Sequence, residues 1–257
     1  MNNQLEQIKQ LLAASSKEQR EEISRALRQE FPIHAIEQKL NAEAEIILEA
    51  ISRAGDLTLR GIRGIIAEAA FATKVVGTLQ GWKETTPAGN HPYDFVLTDD
   101  HGDIRVQVKM QRQKSHRPMI ASEGYRFLPS DMYVVETQKT RGGTHPTTGE
   151  DTRPYKFNEF DILAVALHPS TGDWSRFLYT VNSWLLPRSD DTNLMLKFQP
   201  VPKEANENWT DSFLTCVSWF RSGQHRRLQI DIPSASRTTK KKRKKKSRKR
   251  RTRKTFS

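Results

Sequence analysis

The chain has 257 residues, 35% of them hydrophobic, which is enough for one globular domain with extensions, and its formal net charge is +12. No apolar run approaches the length of a bilayer span, and no basic start with an apolar core opens the sequence, so we expect neither a membrane protein nor a secreted one. The single cysteine, Cys216, excludes an internal disulfide and a cysteine-based zinc site, and predicts a reducing, cytoplasmic location.

Residues 1–56 predict a helical amino-terminal region in at least two pieces. Ser16 and Gln19 have the spacing of a capping box, Pro32 ends the helix that begins there, and a further helix closes at Gly55. Apolar residues recur at helical spacing along these pieces: Leu5, Ile8, Leu11, Leu12, Ile23, Ala26, Leu27, Ile36, Leu40, Ile47 and Ile51. Such stripes are typical of plain packing surfaces. A dimer interface, giving a homodimer, and a helix laid against DNA stay open as alternatives.

Residues 61–77 predict the next helix, with an apolar stripe along one side and Gly77 as its stop. The stripe consists of Ile62, Ile65, Ala69, Ala72 and Val76. Glu68 lies at the edge of this stripe, and a carboxylate beside a buried face needs a partner. Two interpretations stay open. Glu68 belongs to a functional site, or it is a helix-boundary residue that reaches water or pairs with Arg63 or Lys74.

Two apolar, β-branched-rich runs, 91–97 and 104–109, are joined by the turn formers at 98–103 and predict a β-hairpin. Asp94 lies near the start of the first strand. Gln107 and Lys109 lie near the end of the second strand. They are two residues apart, and residues with this separation lie on the same face of a strand. Antiparallel pairing therefore places Asp94 beside both. A carboxylate, an amide oxygen and an ammonium group that converge in this way suit a hard divalent cation and a polarised water.

Asp94 followed by Gln107-x-Lys109 resembles the PD-(D/E)xK nuclease superfamily in its QxK variant, over about residues 60–180. The pattern departs from the superfamily at two positions. Tyr93 replaces the proline before the aspartate, and Gln107 replaces the usual acid, which removes one negative charge. The resemblance implies an α/β fold over residues 57–233, a restriction-endonuclease-like core with a mixed central sheet flanked by helices. It also implies Mg²⁺ as the cofactor, with Mn²⁺ as a substitute.

The resemblance further implies a role for each residue of the motif. Asp94 and Glu68 hold the metal together with the side-chain oxygen of Gln107 and the backbone carbonyl of Val108, while Lys109 positions and polarises the attacking water. The implied function is a metal-dependent DNA endonuclease, sequence-specific and of restriction or homing type. A Holliday-junction or repair nuclease is the close alternative, and a non-catalytic nucleic-acid-binding protein with the same fold is the second.

Residues 111–117 are too polar for a buried strand, and their cations Arg112, Lys114 and Arg117 are expected to contact DNA phosphates, with a solvated loop as the alternative. Further strands are predicted at 132–139, 160–167 and 176–181, a mobile loop at 141–150, and a helix at 210–222 that stops at Gly223. Asp161, at the start of the second of these strands, is interpreted as a strand-end cap without a catalytic role.

Residues 234–257 form a polybasic tail that we expect to be disordered in isolation. Fourteen of the 42 Lys and Arg residues lie between 237 and 254, so the other 28 face 30 acidic residues and the rest of the chain has a net charge of −2. The predicted partner of the tail is DNA, with anionic lipid as an alternative. The tail would make a bacterial protein nucleoid-associated, or would serve as a nuclear localisation signal in a eukaryote.

Overall fold

The computed structural model describes residues 2–30, 34–139 and 153–232, and the chain divides after Ile62 into two compact units. The predicted loop at 141–150 and the polybasic tail lie outside the described residues. The first unit is helical, and its helices α1 to α4 span Asn2–Ala14, Lys17–Glu30, Ile36–Leu40 and Ala44–Ser52. Helix α5 (Asp56–Lys74) contains the division point. Within the described ranges, no helix is long and apolar enough to cross a bilayer.

The predicted capping box begins α2. The backbone amide of Ser16 donates to the side chain of Gln19 at 2.9 Å, and the amide of Gln19 donates to the Ser16 hydroxyl at 3.3 Å. The prediction of a single further helix that closes at Gly55 is wrong, because the chain forms two helices, α3 and α4, in this region. Asn41 ends α3 in the left-handed conformation (φ 48°), which asparagine tolerates better than other residues with a side chain.

The second unit contains a five-stranded mixed sheet flanked by helices, which confirms the predicted fold class. Its order is β1-β2-β3-β7-β8, and only the β3–β7 pair is parallel. These five strands are Lys83–Glu84, Phe95–Asp99, Gly102–Met110, Ile162–Ala166 and Phe177–Val181. Two small sheets pair β4 (Gln113–Lys114) with β5 (Arg117–Pro118), and β6 (Tyr133–Glu136) with β9 (Phe198–Val201).

The remaining helices of this unit are α6 (Ala121–Gly124), α7 (His168–Thr171) and α8 (Phe213–Arg221), with 3₁₀ turns at Val76–Thr78 and Asn182–Trp184. Helix α8 stops before Gly223, as predicted, and Gly223 has a positive φ of 64°. Every residue of the central strand β7 is buried, as its continuous apolar run predicts. The two faces of the sheet belong to separate hydrophobic clusters, one containing Phe71 of α5 and the other containing Trp209.

The buried face of α5 differs from the predicted stripe. Ala67, Ala70 and Phe71 are buried, whereas Ile65 is 64% exposed. Phe71 packs against Phe95, with ring centroids 5.2 Å apart, and burying an aromatic ring of this size decides which side of the helix meets the sheet. Six residues at ~100° each place Ile65 about 120° away from Phe71 around the helix axis. The helix also ends at Lys74, before the predicted stop at Gly77.

Asp161 anchors the start of β7 to the neighbouring strand β3. Its carboxylate accepts hydrogen bonds from three groups of Arg105: the backbone N–H at 2.8 Å, Nε at 3.1 Å and Nη2 at 2.7 Å. The side chain of Asp161 is 11% exposed, so water replaces few of these bonds. This pairing agrees with the structural role expected for Asp161 and makes it a residue on which the stability of the sheet depends.

We expect Asp161→Asn to lower the free energy of unfolding by about 2 kcal/mol, because the mostly buried carboxylate loses the charge that strengthens its hydrogen bonds while Arg105 keeps its own. Urea denaturation measures the loss. Asp190→Asn is the matched control, since Asp190 also pairs with an arginine through two hydrogen bonds but is 53% exposed. Exposed pairs contribute little, so this control should change stability by less than about 0.5 kcal/mol. Equal losses in the two variants would contradict the assigned role.

Candidate active site

The register of the β2–β3 hairpin brings Asp94 next to Gln107. Phe95 pairs with Val106, so Asp94, one residue before β2, lies opposite Gln107. The backbone N–H of Asp94 donates to the carbonyl of Val106 at 3.0 Å and extends the ladder to this position. The Oδ2 atom of Asp94 accepts hydrogen bonds from the backbone N–H of Val108 at 2.8 Å and from Nε2 of Gln107. The predicted convergence of Asp94 and Gln107 is therefore observed.

The carboxamide of Gln107 is 2% exposed and has partners at both ends. Its Nε2 donates to Asp94 and, at 3.1 Å, to the carbonyl oxygen of Val108, while its Oε1 accepts from the hydroxyl of Tyr155 at 3.2 Å. An ionised carboxylate and a backbone carbonyl can only accept hydrogen bonds, so the amide nitrogen faces them. The sequence predicts the Gln107 oxygen as a metal ligand, and in this structure that oxygen faces Tyr155.

Helix α5 packs against the hairpin through Phe71 and Phe95, and Glu68 lies three residues before Phe71. Glu68, Asp94 and Lys109 also act on one another electrostatically. Burial, and then the charge of Asp94, raises the pKa of Glu68 to about 7. Burial raises the pKa of Asp94 as well, against the opposing effect of Lys109. Burial lowers the pKa of Lys109, and the charges of Asp94 and Glu68 oppose that shift. Two carboxylates that repel each other in a poorly solvated place would gain from a shared cation.

In the described part of the chain Glu68 forms no ion pair with Arg63 or Lys74, so of the alternative interpretation only contact with water remains. Its side chain is half-buried on α5. Three-residue clusters of His, Cys, Asp or Glu that could hold a metal are also absent from residues 2–30, 34–139 and 153–232. A cation here would need uncharged oxygen atoms in addition to the two carboxylates. The carbonyl of Val108 is one such oxygen, and the amide oxygen of Gln107 becomes a second when the carboxamide turns that oxygen from Tyr155 toward Asp94. Hard oxygen donors of this kind fit Mg²⁺.

Sequence reasoning missed Tyr155, which is 4% exposed and touches two of the site residues. Its hydroxyl contacts Gln107, and the Nζ of Lys109 lies 5.5 Å from the centroid of its ring. The Nζ of Lys139 lies 5.4 Å from the same centroid, and Lys139 also pairs with Glu159 at 2.6 Å. Burial raises the pKa of the Tyr155 phenol, so the hydroxyl keeps its proton. No local pattern marks this tyrosine, since it reaches the site from a segment 48 residues beyond Gln107.

The three cations expected to contact phosphates all form ion pairs within the chain. Arg112 pairs with Glu136 at 3.2 Å. Lys114 and Arg117, on the short β4–β5 hairpin, both pair with Glu123, at 3.0 Å and 2.8 Å. Lys114 and Arg117 are more than half exposed, so a phosphate can reach them, but it would compete with the carboxylate of Glu123.

No family model matches the sequence, and no curated protein matches it either. Among solved structures, the chain is similar to the bacterial homing endonuclease I-Ssp6803I, with 20% sequence identity and a TM-score of 0.34. The similarity covers 66% of this chain and 96% of that one. A TM-score below 0.5 does not establish a shared function, because one fold can host many activities.

Proposed function

We propose that the protein is a metal-dependent DNA endonuclease of the PD-(D/E)xK type, with Gln107 in the position of the second acid. The observation that supports this most is the meeting of Asp94, Gln107 and Lys109 at one end of a β-hairpin within a mixed sheet, with Glu68 of the preceding helix beside them. A carboxylate pair, uncharged oxygen donors and one ammonium group match the needs of phosphodiester hydrolysis.

Mg²⁺ would be held by Asp94 and Glu68, with the carbonyl oxygen of Val108 and the amide oxygen of Gln107 completing the protein ligands; Mn²⁺ would take the same place. When bound, the metal supplies a polarised water and balances negative charge on the phosphate. The two carboxylates supply all the negative charge among these ligands because Gln107 is neutral. Their raised pKa values reflect burial and, at Glu68, the repulsion that a shared cation would relieve.

Lys109 orients the attacking water. Its ammonium group has three N–H donors and no acceptor, so the water accepts a hydrogen bond from it through one lone pair and keeps the other lone pair for phosphorus. The same ammonium group stabilises charge that grows on the phosphate oxygens. The water oxygen bonds to phosphorus and releases one proton to solvent while one ester bond breaks, and the departing ester oxygen takes up one proton from solvent. No covalent enzyme intermediate forms. The ring of Tyr155, next to the ammonium group, restricts the orientation of the Lys109 side chain.

DNA is the proposed substrate, and the polybasic tail would add affinity without reading sequence. Within this class, we propose a sequence-specific enzyme of restriction or homing type. A junction-resolving or repair nuclease would use the same residues on a different DNA shape. Sequencing the ends of digested DNA separates the two, since a sequence-specific enzyme gives recurrent ends and a shape-specific enzyme gives ends that follow junctions or damage.

Plasmid nicking tests the proposed activity. Supercoiled plasmid should become nicked or linear with the purified chain and Mg²⁺, and should stay supercoiled when EDTA is added. Cleavage that continues in EDTA would contradict the metal dependence.

One observation favours a second candidate, a non-catalytic DNA-binding protein that keeps the fold. The amide nitrogen of Gln107 completes the hydrogen bonding of Asp94 without any cation, which an acidic residue in this position could not do while ionised. This candidate predicts that the chain shifts DNA in a gel while plasmid stays supercoiled in both Mg²⁺ and Mn²⁺.

The β4–β5 hairpin gives a prediction about DNA affinity. The double substitution of Lys114 and Arg117 by alanine should weaken DNA binding and reduce the salt slope of the binding constant by about 0.9 for each lost phosphate contact. Glu123→Gln should have the opposite effect on affinity, because it releases both cations from their shared carboxylate. Binding measured across a salt series checks both variants. An unchanged slope in the double variant would mean that this hairpin does not meet the phosphates.

A further inference from the structure

Tyr155 contacts the uncharged side chain of the candidate site. Its hydroxyl donates to Oε1 of Gln107 at 3.2 Å, and the other end of the same carboxamide donates to Asp94 and to the carbonyl of Val108. These last two groups only accept hydrogen bonds. Without a cation in front of Asp94, the carboxamide is therefore held with its nitrogen toward Asp94 and its oxygen toward Tyr155.

A cation held by Asp94 and Val108 demands the reverse orientation. An amide nitrogen carries hydrogens that point toward the cation and offers no lone pair to it, whereas the amide oxygen is a good ligand. A turn of about 180° around the last side-chain bond of Gln107 exchanges the two ends. The nitrogen then faces Tyr155. A phenol hydroxyl can donate to the oxygen in one orientation and accept from the nitrogen in the other.

We propose that Tyr155 is a positioning residue that allows Gln107 to present either its amide nitrogen or its amide oxygen to Asp94, and so assists the binding of a divalent cation. This inference rests on the proposed function, because it assumes a metal at Asp94. Tyr155 does not itself touch the metal or the substrate. It acts through Gln107.

The ring of Tyr155 is held firmly enough to fix its hydroxyl. It packs edge-on against Phe160, with centroids 5.4 Å apart, and lies close to the ammonium groups of Lys109 and Lys139. Phenylalanine at this position keeps the ring and all of these contacts. Tyr155→Phe therefore removes only the hydroxyl, which makes it a clean test of the hydrogen bond to Gln107.

The loss of the hydroxyl should disfavour the cation-binding orientation more than the resting one. In the resting orientation, Tyr155→Phe leaves a buried carbonyl oxygen short of one donor, which proteins tolerate fairly often. In the cation-binding orientation, it leaves buried N–H groups without an acceptor, which is rarer and costs more. We expect Tyr155→Phe to weaken cation binding roughly three- to tenfold.

Mn²⁺ binding to the full-length chain without DNA measures this directly, from the electron paramagnetic resonance signal of free Mn²⁺. Asp94→Ala gives the background from other surface carboxylates. Tyr179→Phe is the matched control, because Tyr179 is equally buried at 3% exposure but belongs to the cluster on the other face of the sheet. Tyr155→Phe is also combined with Gln107→Ala, where a residue that acts only through Gln107 should have no further effect.

The expected result is weaker Mn²⁺ binding by Tyr155→Phe, unchanged binding by Tyr179→Phe, and no effect of Tyr155→Phe in the Gln107→Ala background. Wild-type affinity in Tyr155→Phe, or an equal loss in both backgrounds, overturns the positioning role and leaves the proposed function intact. Identical Mn²⁺ binding by the wild type and Asp94→Ala overturns the metal site itself, and this inference with it.

Discussion

Asp94→Ala and Lys109→Ala should each reduce the rate of DNA cleavage by about 100-fold or more and leave DNA affinity nearly unchanged. Asp94 holds both backbone and side-chain donors at the centre of the candidate site, and Lys109 is the ammonium group beside it. In the proposed mechanism both act on the reacting phosphate and the water, and neither belongs to an exposed basic surface. Single-turnover cleavage with DNA bound at saturation measures the rate, and a gel shift in EDTA measures the affinity.

The controls for these variants come from the same sheet. Asp100, exposed in the β2–β3 turn, and Lys83, exposed on β1, carry the same charges but lie away from the meeting point of the hairpin with α5. Asp100→Ala and Lys83→Ala should cleave like the wild type. Cleavage by Asp94→Ala at the wild-type rate in Mg²⁺ would end the nuclease assignment.

Glu68→Gln should move the Mg²⁺ requirement for cleavage to concentrations about tenfold higher or more. With Gln107 neutral, Glu68 and Asp94 would be the two negative ligands of the proposed metal site, so the variant halves the charge that balances the cation. The loss of repulsion between the two carboxylates acts in the opposite direction, but it does not replace the negative charge that the cation loses. A Mg²⁺ titration of the cleavage rate measures the shift.

Glu84→Gln serves as the control for Glu68→Gln, since Glu84 is an exposed acid on the edge strand β1. It should leave the Mg²⁺ titration unchanged. If Glu68→Gln also leaves the titration unchanged, Glu68 is an ordinary half-buried residue of α5 and the metal would have to be held by Asp94 with uncharged oxygens alone.

The hairpin could be predicted from the sequence because its information is local. The two-residue period of a strand determines which side chains share a face, and the run of turn formers determines where the two strands pair. The observed register of β2 and β3 follows from these two local features. The capping box at Ser16 was predictable for the same reason. A structure that depends on only a few neighbouring residues can be predicted from those residues alone.

The buried face of α5 could not be predicted, because two apolar stripes on one helix compete and the sequence does not say which of them meets a partner. The face of α5 that carries Phe71 is buried because the ring of Phe71 packs against three other rings. These belong to Phe95, Phe177 and Phe213, which come from three other parts of the chain. The break at Asn41 was also missed. An asparagine can lie inside a helix or end it in the left-handed conformation, and the packing of the folded chain determines which of the two occurs.

The orientation of Gln107 and the role of Tyr155 depend on contacts that no local pattern encodes. Gln107 was expected to offer its oxygen to a metal, but its two acceptor neighbours turn its nitrogen toward Asp94 in this structure. The ion pairs of Glu123 could not be predicted for a similar reason. A run of basic residues indicates cations that could bind phosphate, but it does not show which carboxylate of the folded chain pairs with them.

Addition of Mg²⁺ to a preformed, metal-free complex of the full-length chain with DNA separates a metal-dependent nuclease from a protein that only binds DNA. The complex is assembled in EDTA and freed of chelator, and the DNA is then followed after Mg²⁺ is added. We expect intact DNA before the addition and strand cleavage after it, with Asp94→Ala complexes remaining intact throughout. DNA that stays bound and uncut by the wild type after addition of either Mg²⁺ or Mn²⁺ would contradict this expectation.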